Sequence, residues 1–285
     1  MSFHLSKSRF TKCVQCPKML WLSQNKPEEY DDSVMNNAIL ESGSMIGDLA
    51  MGLFGSFTEI PYLDDKSEMV RITSDLIDKN ERVIAEASFA TEDGFCSVDI
   101  LVNNGNKSVE LYEVKSSTHD KDIYHYDIAY QYHILKQCGF EVTKACLVYV
   151  NNSYVRLGEL NIKELFKIKD LTSVAIELHD EVIERIKHIK EYMKLENEPD
   201  RALGEYCSNP YDCGFWNYCT RNLPHPNVFD LSSTTLKTIL KHYQSGIISY
   251  EEIASKGRFN ANTMLQVNHE LNGLPPHIDK VAIKS

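Results

Sequence analysis

The chain contains no run of about 18 apolar residues, the length that spans a bilayer core as a helix. Its opening, MSFHLSKSRF, also lacks the apolar centre of a secretory signal. A membrane is therefore not an expected partner, and the cytoplasm is the expected compartment. Basic residues are in deficit: 30 Lys and Arg stand against 41 Asp and Glu, a formal charge of -11. That excludes adhesion to nucleic acid through overall charge and leaves only a local basic groove for the purpose. Internal repeats and low-complexity tracts are missing too, which excludes solenoids and fibrous arrays.

What is present suits a globular protein of 285 residues, with 42% hydrophobic and 25% charged residues, enough for a sizeable core. Eight cysteines in a reducing compartment point to metal ligation or buried thiols rather than disulfides. Candidate basic tracks are Lys7, Arg9, Lys12 and Lys18 near the start, and Arg185, Lys187, Lys190 and Lys194 on a later helix. A solvated surface accounts for either cluster equally well.

The period of the apolar pattern changes along the chain. Before residue 80 it is mostly helical, with a segment from Glu41 to Phe54. Residues 82–91, 95–103 and 108–117 then read as three strands, separated by the turn signals Glu92-Asp93-Gly94 and Asn104-Gly105-Asn106. A helix is predicted from Ile123 to Gln137, stopped by Gly139, and a fourth strand from Lys144 to Val150. Residues 173–195 form an amphipathic helix with Val174, Leu178, Val182, Ile186, Ile189 and Met193 on its core face. A cysteine-rich loop follows at 204–224. The tail from about 227 holds a capped helix starting near Ser232-Ser233 and another near Tyr250.

Alternate side chains of a strand face the same way, so Glu113 and Lys115 share one face, and Ser97 and Asp99 share one face of the strand before it. A hairpin turn at 104–107 sets Asp99 opposite or diagonal to Glu113, with the two carboxylates roughly 5–8 Å apart. Two carboxylates and a strand carbonyl suit a hard cation such as Mg2+ or Mn2+. Lys115 would orient a water on that cation and neutralise charge developing on a phosphate. Glu-x-Lys alone also arises from alternating charges on a solvated strand face; the Asp on the preceding strand is what adds to it. Glu86, on a parallel face of the first strand, is either a further carboxylate of the site or an exposed strand residue.

The order helix, Asp strand, Glu-x-Lys strand, helix, strand, with VDI (98–100) and EVK (113–115), resembles the core of the PD-(D/E)XK nuclease superfamily. The resemblance implies an α/β, restriction-endonuclease-like fold in which a central mixed sheet is flanked by helices. It implies Asp99 and Glu113 as metal ligands, Lys115 as catalytic lysine and DNA as substrate, cleaved by an exonuclease at single strands or ends. Gln131, in DIAYQYHIL, is similar to the active-site glutamine of the RecB-like branch. The chain departs from that branch twice. Leu135 stands where it carries a tyrosine, with Tyr130 and Tyr132 as neighbours. Gly47, beside Asp48, stands where it carries a metal-binding histidine. A catalytically inactive nucleic-acid-binding module with the same fold is the competing expectation.

Cys207, Cys213 and Cys219 occur in CSNPYDCGFWNYC, with two five-residue gaps. Structural zinc sites pair cysteines more closely, whereas three clustered thiolates and a distant fourth suit an iron-sulfur cluster. Cys16, followed by Pro17 and an apolar helix, resembles the amino-terminal Cys-Pro element of iron-sulfur nucleases related to AddB and to the CRISPR-associated adaptation exonucleases. In those families the other three cysteines follow the nuclease core. The resemblance, over roughly residues 8–220, implies a 4Fe-4S cluster on Cys16, Cys207, Cys213 and Cys219 that closes a domain of residues 1–224. Residues 225–285 then form a helical tail or connector to a possible further domain or helicase-like partner. Cys13 competes with Cys16, since Cys13-x-x-Cys16 is also half of a zinc site, and a zinc-stapled protein of other function stays open. Cys96, Cys138 and Cys146 read as small core hydrophobes.

Overall fold

A computed structural model describes residues 5–34, 37–275 and 278. The chain divides into two compact units, one of residues up to 28 with 32–200, the other of 29–31 with the residues from 201 onward. The cysteine loop thus counts with the tail residues, not with the sheet.

The first unit opens with α1 (Lys7–Gln15), capped by the Ser6 side chain, which accepts from the Arg9 amide. In α2 (Pro17–Asn25), Pro17 takes the first helical position, where a missing N–H leaves nothing unsatisfied. Then come α3 (Asn37–Met51), β1 (Thr58–Glu59), α4 (Lys66–Asp78), β2 (Val83–Thr91), β3 (Gly94–Gly105) and β4 (Ser108–Lys115). They are followed by α5 (Asp122–Gln137), β5 (Glu141–Val150), α6 (Ile162–Leu165), β6 (Phe166–Asp170), α7 (Thr172–Glu177) and α8 (His179–Tyr192).

The six strands form one mixed sheet in sequence order, with β1–β2 and β4–β5 parallel and the other pairs antiparallel. The meander and the fourth strand of the sequence reading are β2 to β5. Strands β1 and β6 carry no signal in the sequence because two and five residues are too few to show a period of two. The stripe from Val174 to Met193 packs into the core as expected. Its helix divides at Leu178, although Leu178 and Val182 still donate to residues four positions back.

Helices cover both faces of the sheet. On one, Phe10 of α1, Met69 of α4, Ile128 and Ile134 of α5, Ala175 of α7 and Val182 of α8 pack on Val98, Leu111 and Leu147. On the other, Ala50 of α3 and Leu165 of α6 meet Ile100, Tyr112 and Val148. With both faces buried, the strands read as nearly continuous apolar runs.

One feature departs from simple alternation. Cys96, Val98 and Leu101 belong to the first cluster, while Ile100 and Val102 belong to the second. The two-residue period therefore resets at Asp99. In the β2–β3 register, Ala85 faces Ile100 and Ala87 faces Val98, which sets Glu86 across from Asp99, and Glu86 has a φ of +57°. A glutamate in this region is strained backbone.

The second unit contains α9 (Trp216–Thr220), α10 (Leu236–Gln244), α11 (Tyr250–Lys256) and α12 (Ala261–Leu271). Val228, Leu231, Ile239, Tyr250, Ile253 and Val267 form its core. Helix α10 begins later than the Ser232-Ser233 signal suggested, because it is the Thr235 hydroxyl that accepts from the Thr238 amide. No helix among the described residues is long and apolar enough to cross a membrane.

Candidate active site

Where β4 leaves β3 while staying paired with β5, the fold replaces a backbone ladder with side-chain contacts. The β3–β4 register runs from Asn103 opposite Val109 to Ile100 opposite Tyr112. One step further lie Asp99 and Glu113, where the strands part and Asp99 Oδ2 accepts the Val114 amide at 2.7 Å. A carboxylate thereby satisfies an amide that the neighbouring strand no longer reaches.

Glu113 is 1% exposed and is the hub of the site. Lys115 Nζ donates to Glu113 Oε1 at 2.6 Å and to Asp127 Oδ2 at 2.6 Å. Lys7 Nζ donates to both Glu113 oxygens, at 3.1 and 2.9 Å, and lies 3.6 Å from Asp99 Oδ1. Gln131 Nε2 donates to Glu113 Oε2 at 2.7 Å and to Asp127 Oδ1 at 3.3 Å. Asp99, Glu113, Lys115 and Gln131 are therefore together, and Glu86 lines the same cleft.

Two members carry no motif signal. Asp127 lies one helical turn before Gln131, so the two share a face of α5, and that i, i+4 spacing was readable. Lys7 comes from 106 residues before Glu113, and the sequence marks it only as part of a candidate basic track. Of the later basic cluster, Arg185, Lys187, Lys190 and Lys194 pair with Glu181, Glu184, Asp93 and Glu191.

The electrostatics separate the acids. Burial opposes ionisation of Glu113, but Lys115 and Lys7 outweigh it and hold its carboxyl well below the usual range. Burial and the nearby Glu113 charge push Asp99 up to about 6. Burial, then the Asp99 charge, pushes Glu86 up to about 7. Lys115 is raised despite its burial, by Asp127 and Glu113.

Glu86, Asp99, Glu113 and Lys115 line a cleft of about 800 Å³. Gly47 and Asp48 of α3 line it as well, so the departure noted in the sequence falls on the cleft wall. At its lip Tyr62 is 77% exposed, with Lys66 Nζ 3.4 Å from its ring centre.

Among the described residues, no group of three or more His, Cys, Asp or Glu side chains is placed to hold a metal ion. The chemistry of the pair Asp99 and Glu113 nevertheless fits a hard cation: both are oxygen donors, and a positive charge, the Lys7 ammonium, already rests against both. Cys16 is buried and caps α2 in the first unit. Cys207, Cys213 and Cys219 lie in the second unit, where the Cys213 amide donates to the Cys207 carbonyl at 2.9 Å. Cys13 is buried in the sheet's core. Cys96 and Cys146 are core residues whose thiols burial pushes up, to about 12 for Cys146, as befits inert side chains.

No protein-family model matches the chain, and no curated protein matches it in sequence.

Proposed function

We propose that the chain is a divalent-metal-dependent nuclease that hydrolyses DNA phosphodiester bonds, acting as an exonuclease on single strands or ends. The reading rests on one observation: Asp99, Glu113 and Lys115 converge where the central strands β3 and β4 part, on an open cleft, with Gln131 bracing Glu113. The six-stranded mixed sheet with helices on both faces is compatible with a PD-(D/E)XK core.

Asp99 and Glu113 are the residues to hold Mg2+ or Mn2+, which when bound polarises a phosphate and acidifies water. Lys115, fixed between Glu113 and Asp127, directs its ammonium at a water or phosphate oxygen and offsets the charge that grows during attack. Gln131 and Asp127 limit the rotamers of Glu113 and Lys115, so the reacting groups are oriented before substrate arrives. Tyr62 and Lys66 at the lip give an aromatic face and a cation suited to an unpaired base and its phosphate. The cysteine spacing supports a second part of the proposal, a 4Fe-4S cluster on Cys207, Cys213 and Cys219, with Cys16 as the expected fourth ligand.

End-labelled single- and double-stranded DNA incubated with Mn2+ or Mg2+ tests the reading. Degradation is expected, with a loss of at least about 100-fold in Lys115→Ala. Intact DNA across both metals and both substrates overturns it. The alternative, a silent DNA-binding module, is favoured by Lys7 resting on both carboxylates and by Gly47 at the histidine position. It predicts retarded mobility of DNA without cleavage.

A further inference from the structure

Four carboxylates, Glu86, Asp99, Glu113 and Asp127, meet two ammonium groups in this site, and the two do different things. Lys115 is on the same strand as Glu113 and salt-bridges Glu113 and Asp127. Lys7 bridges Glu113 and Asp99, the pair assigned above to the metal. It is also held there by the fold. Leu5 O accepts the Phe95 amide at 2.9 Å and the Tyr130 hydroxyl at 3.1 Å, and Ser6 bridges Phe95 in parallel. Helix α1 starts at the next residue, and Phe10, one turn on, stacks on Tyr130 with ring centres 4.7 Å apart. The backbone of Lys7 is thus anchored on both sides, and its side chain is largely buried, 23% exposed.

We propose that Lys7 is a built-in counter-cation that occupies the Asp99–Glu113 pair and must be displaced before a divalent ion binds there. This inference rests on the nuclease reading for the identity of the ion. Physically, two adjacent carboxylates, here a buried Glu113 and a partly buried Asp99, repel each other and lose hydration, so an uncompensated pair is costly. An ammonium donated by the chain removes that cost in the metal-free protein. The same contact then lowers metal affinity, because the ion has to replace an ion pair instead of filling a bare site. Lys7 lies in the chain between Ser6 and Ser8, both of which line the cleft, so the displaced ammonium stays beside the site.

The test is Mn2+ binding without DNA, followed by loss of the free-ion electron paramagnetic resonance signal. Lys7→Met is expected to bind at least about 10-fold more tightly than the natural chain, about 1.4 kcal/mol, while Lys7→Arg, which keeps the charge, does not. Equal or weaker binding by Lys7→Met, or no binding by either protein, overturns the proposal. The natural chain provides a check that needs no variant: Lys7 is expected to resist an amine-directed acylating reagent without metal and to react once Mn2+ is added, read by peptide mass spectrometry. Unchanged reactivity also overturns it. DNA hydrolysis is scored separately. Cleavage with no difference in Mn2+ affinity removes the role of Lys7 and leaves the nuclease; tighter Mn2+ binding with no cleavage does the reverse.

Discussion

Glu113 is nearly inaccessible to water yet ionised; Asp99 ionises less readily because it is desolvated and beside that charge, and Glu86 because it is desolvated and beside Asp99. A carboxyl raised in the folded state binds a proton the unfolded chain would release, so stability is lost as pH rises through the window between the two values. For Glu86 that window runs from 4.5 to about 7. Metal-free protein is therefore expected to weaken across it. Glu86→Gln should flatten the decline by an amount on the order of 2–3 kcal/mol, read from urea midpoints over a pH series. A decline that Glu86→Gln leaves untouched would show that Glu86 is not the source. Glu113 and Lys115 are legible from the two-residue period of a strand and Asp99 from the hairpin that follows it, although the period resets there, whereas Gln131 is legible only through the family resemblance. Lys7 is not legible, because no local rule links residues 106 apart, and the strain at Glu86 has no sequence signature in a glutamate.

At the scale of elements, the turn between β2 and β3 anchors Leu5 and with it the entry to α1. Gly94 has a φ of +152°, and a Cβ there would lie 2.1 Å from the Tyr130 hydroxyl and 2.5 Å from the Leu5 carbonyl. Gly94→Ala should cost about 3 kcal/mol or more, by unfavourable backbone plus clash, and should loosen α1, seen as faster amide exchange at Phe95. Full stability in that variant would refute the close approach. A second junction joins α5, α8 and the same turn. His133 Nδ1 lies 3.1 Å from His179 Nε2, and His133 Nε2 lies 3.0 Å from Asp93 Oδ2. Burial and the neighbouring His133 hold the His179 imidazole below its ordinary value. A lowered histidine resists protonation in the fold, so stability should fall as pH drops below about 6.5. His179→Gln is expected to remove that part of the acid sensitivity; an unchanged acid limb of the stability profile counts against it. The division of the helix at Leu178 leaves no trace in the sequence, because the apolar stripe runs unbroken through it.

For the whole molecule, the formal charge of -11 means that overall charge gives no affinity for a polyanion, so the proposed DNA binding has to draw on a local site. Four basic residues of the α8 region, Arg185, Lys187, Lys190 and Lys194, are each paired with a neighbouring acid, which offsets their local positive charge. If the cysteine spacing marks an iron-sulfur cluster, anaerobically purified protein should be brown and carry roughly four irons per chain. Cys213→Ser should then lose the visible absorption band together with stability. Zinc in place of iron on elemental analysis would return the loop to the stapled-protein reading.

The sequence determined the helices, the meander and the faces of Glu113 and Lys115, because those follow from periods of two and 3.6 residues within a dozen positions. Only the tertiary structure decided that Asp99 gives up its ladder position to hold the Val114 amide, that α5 contributes Asp127, and that a lysine from the first helix rests on both acids. These contacts join residues far apart in the chain, and their geometry is set by how the packed helices close over the sheet rather than by any local preference.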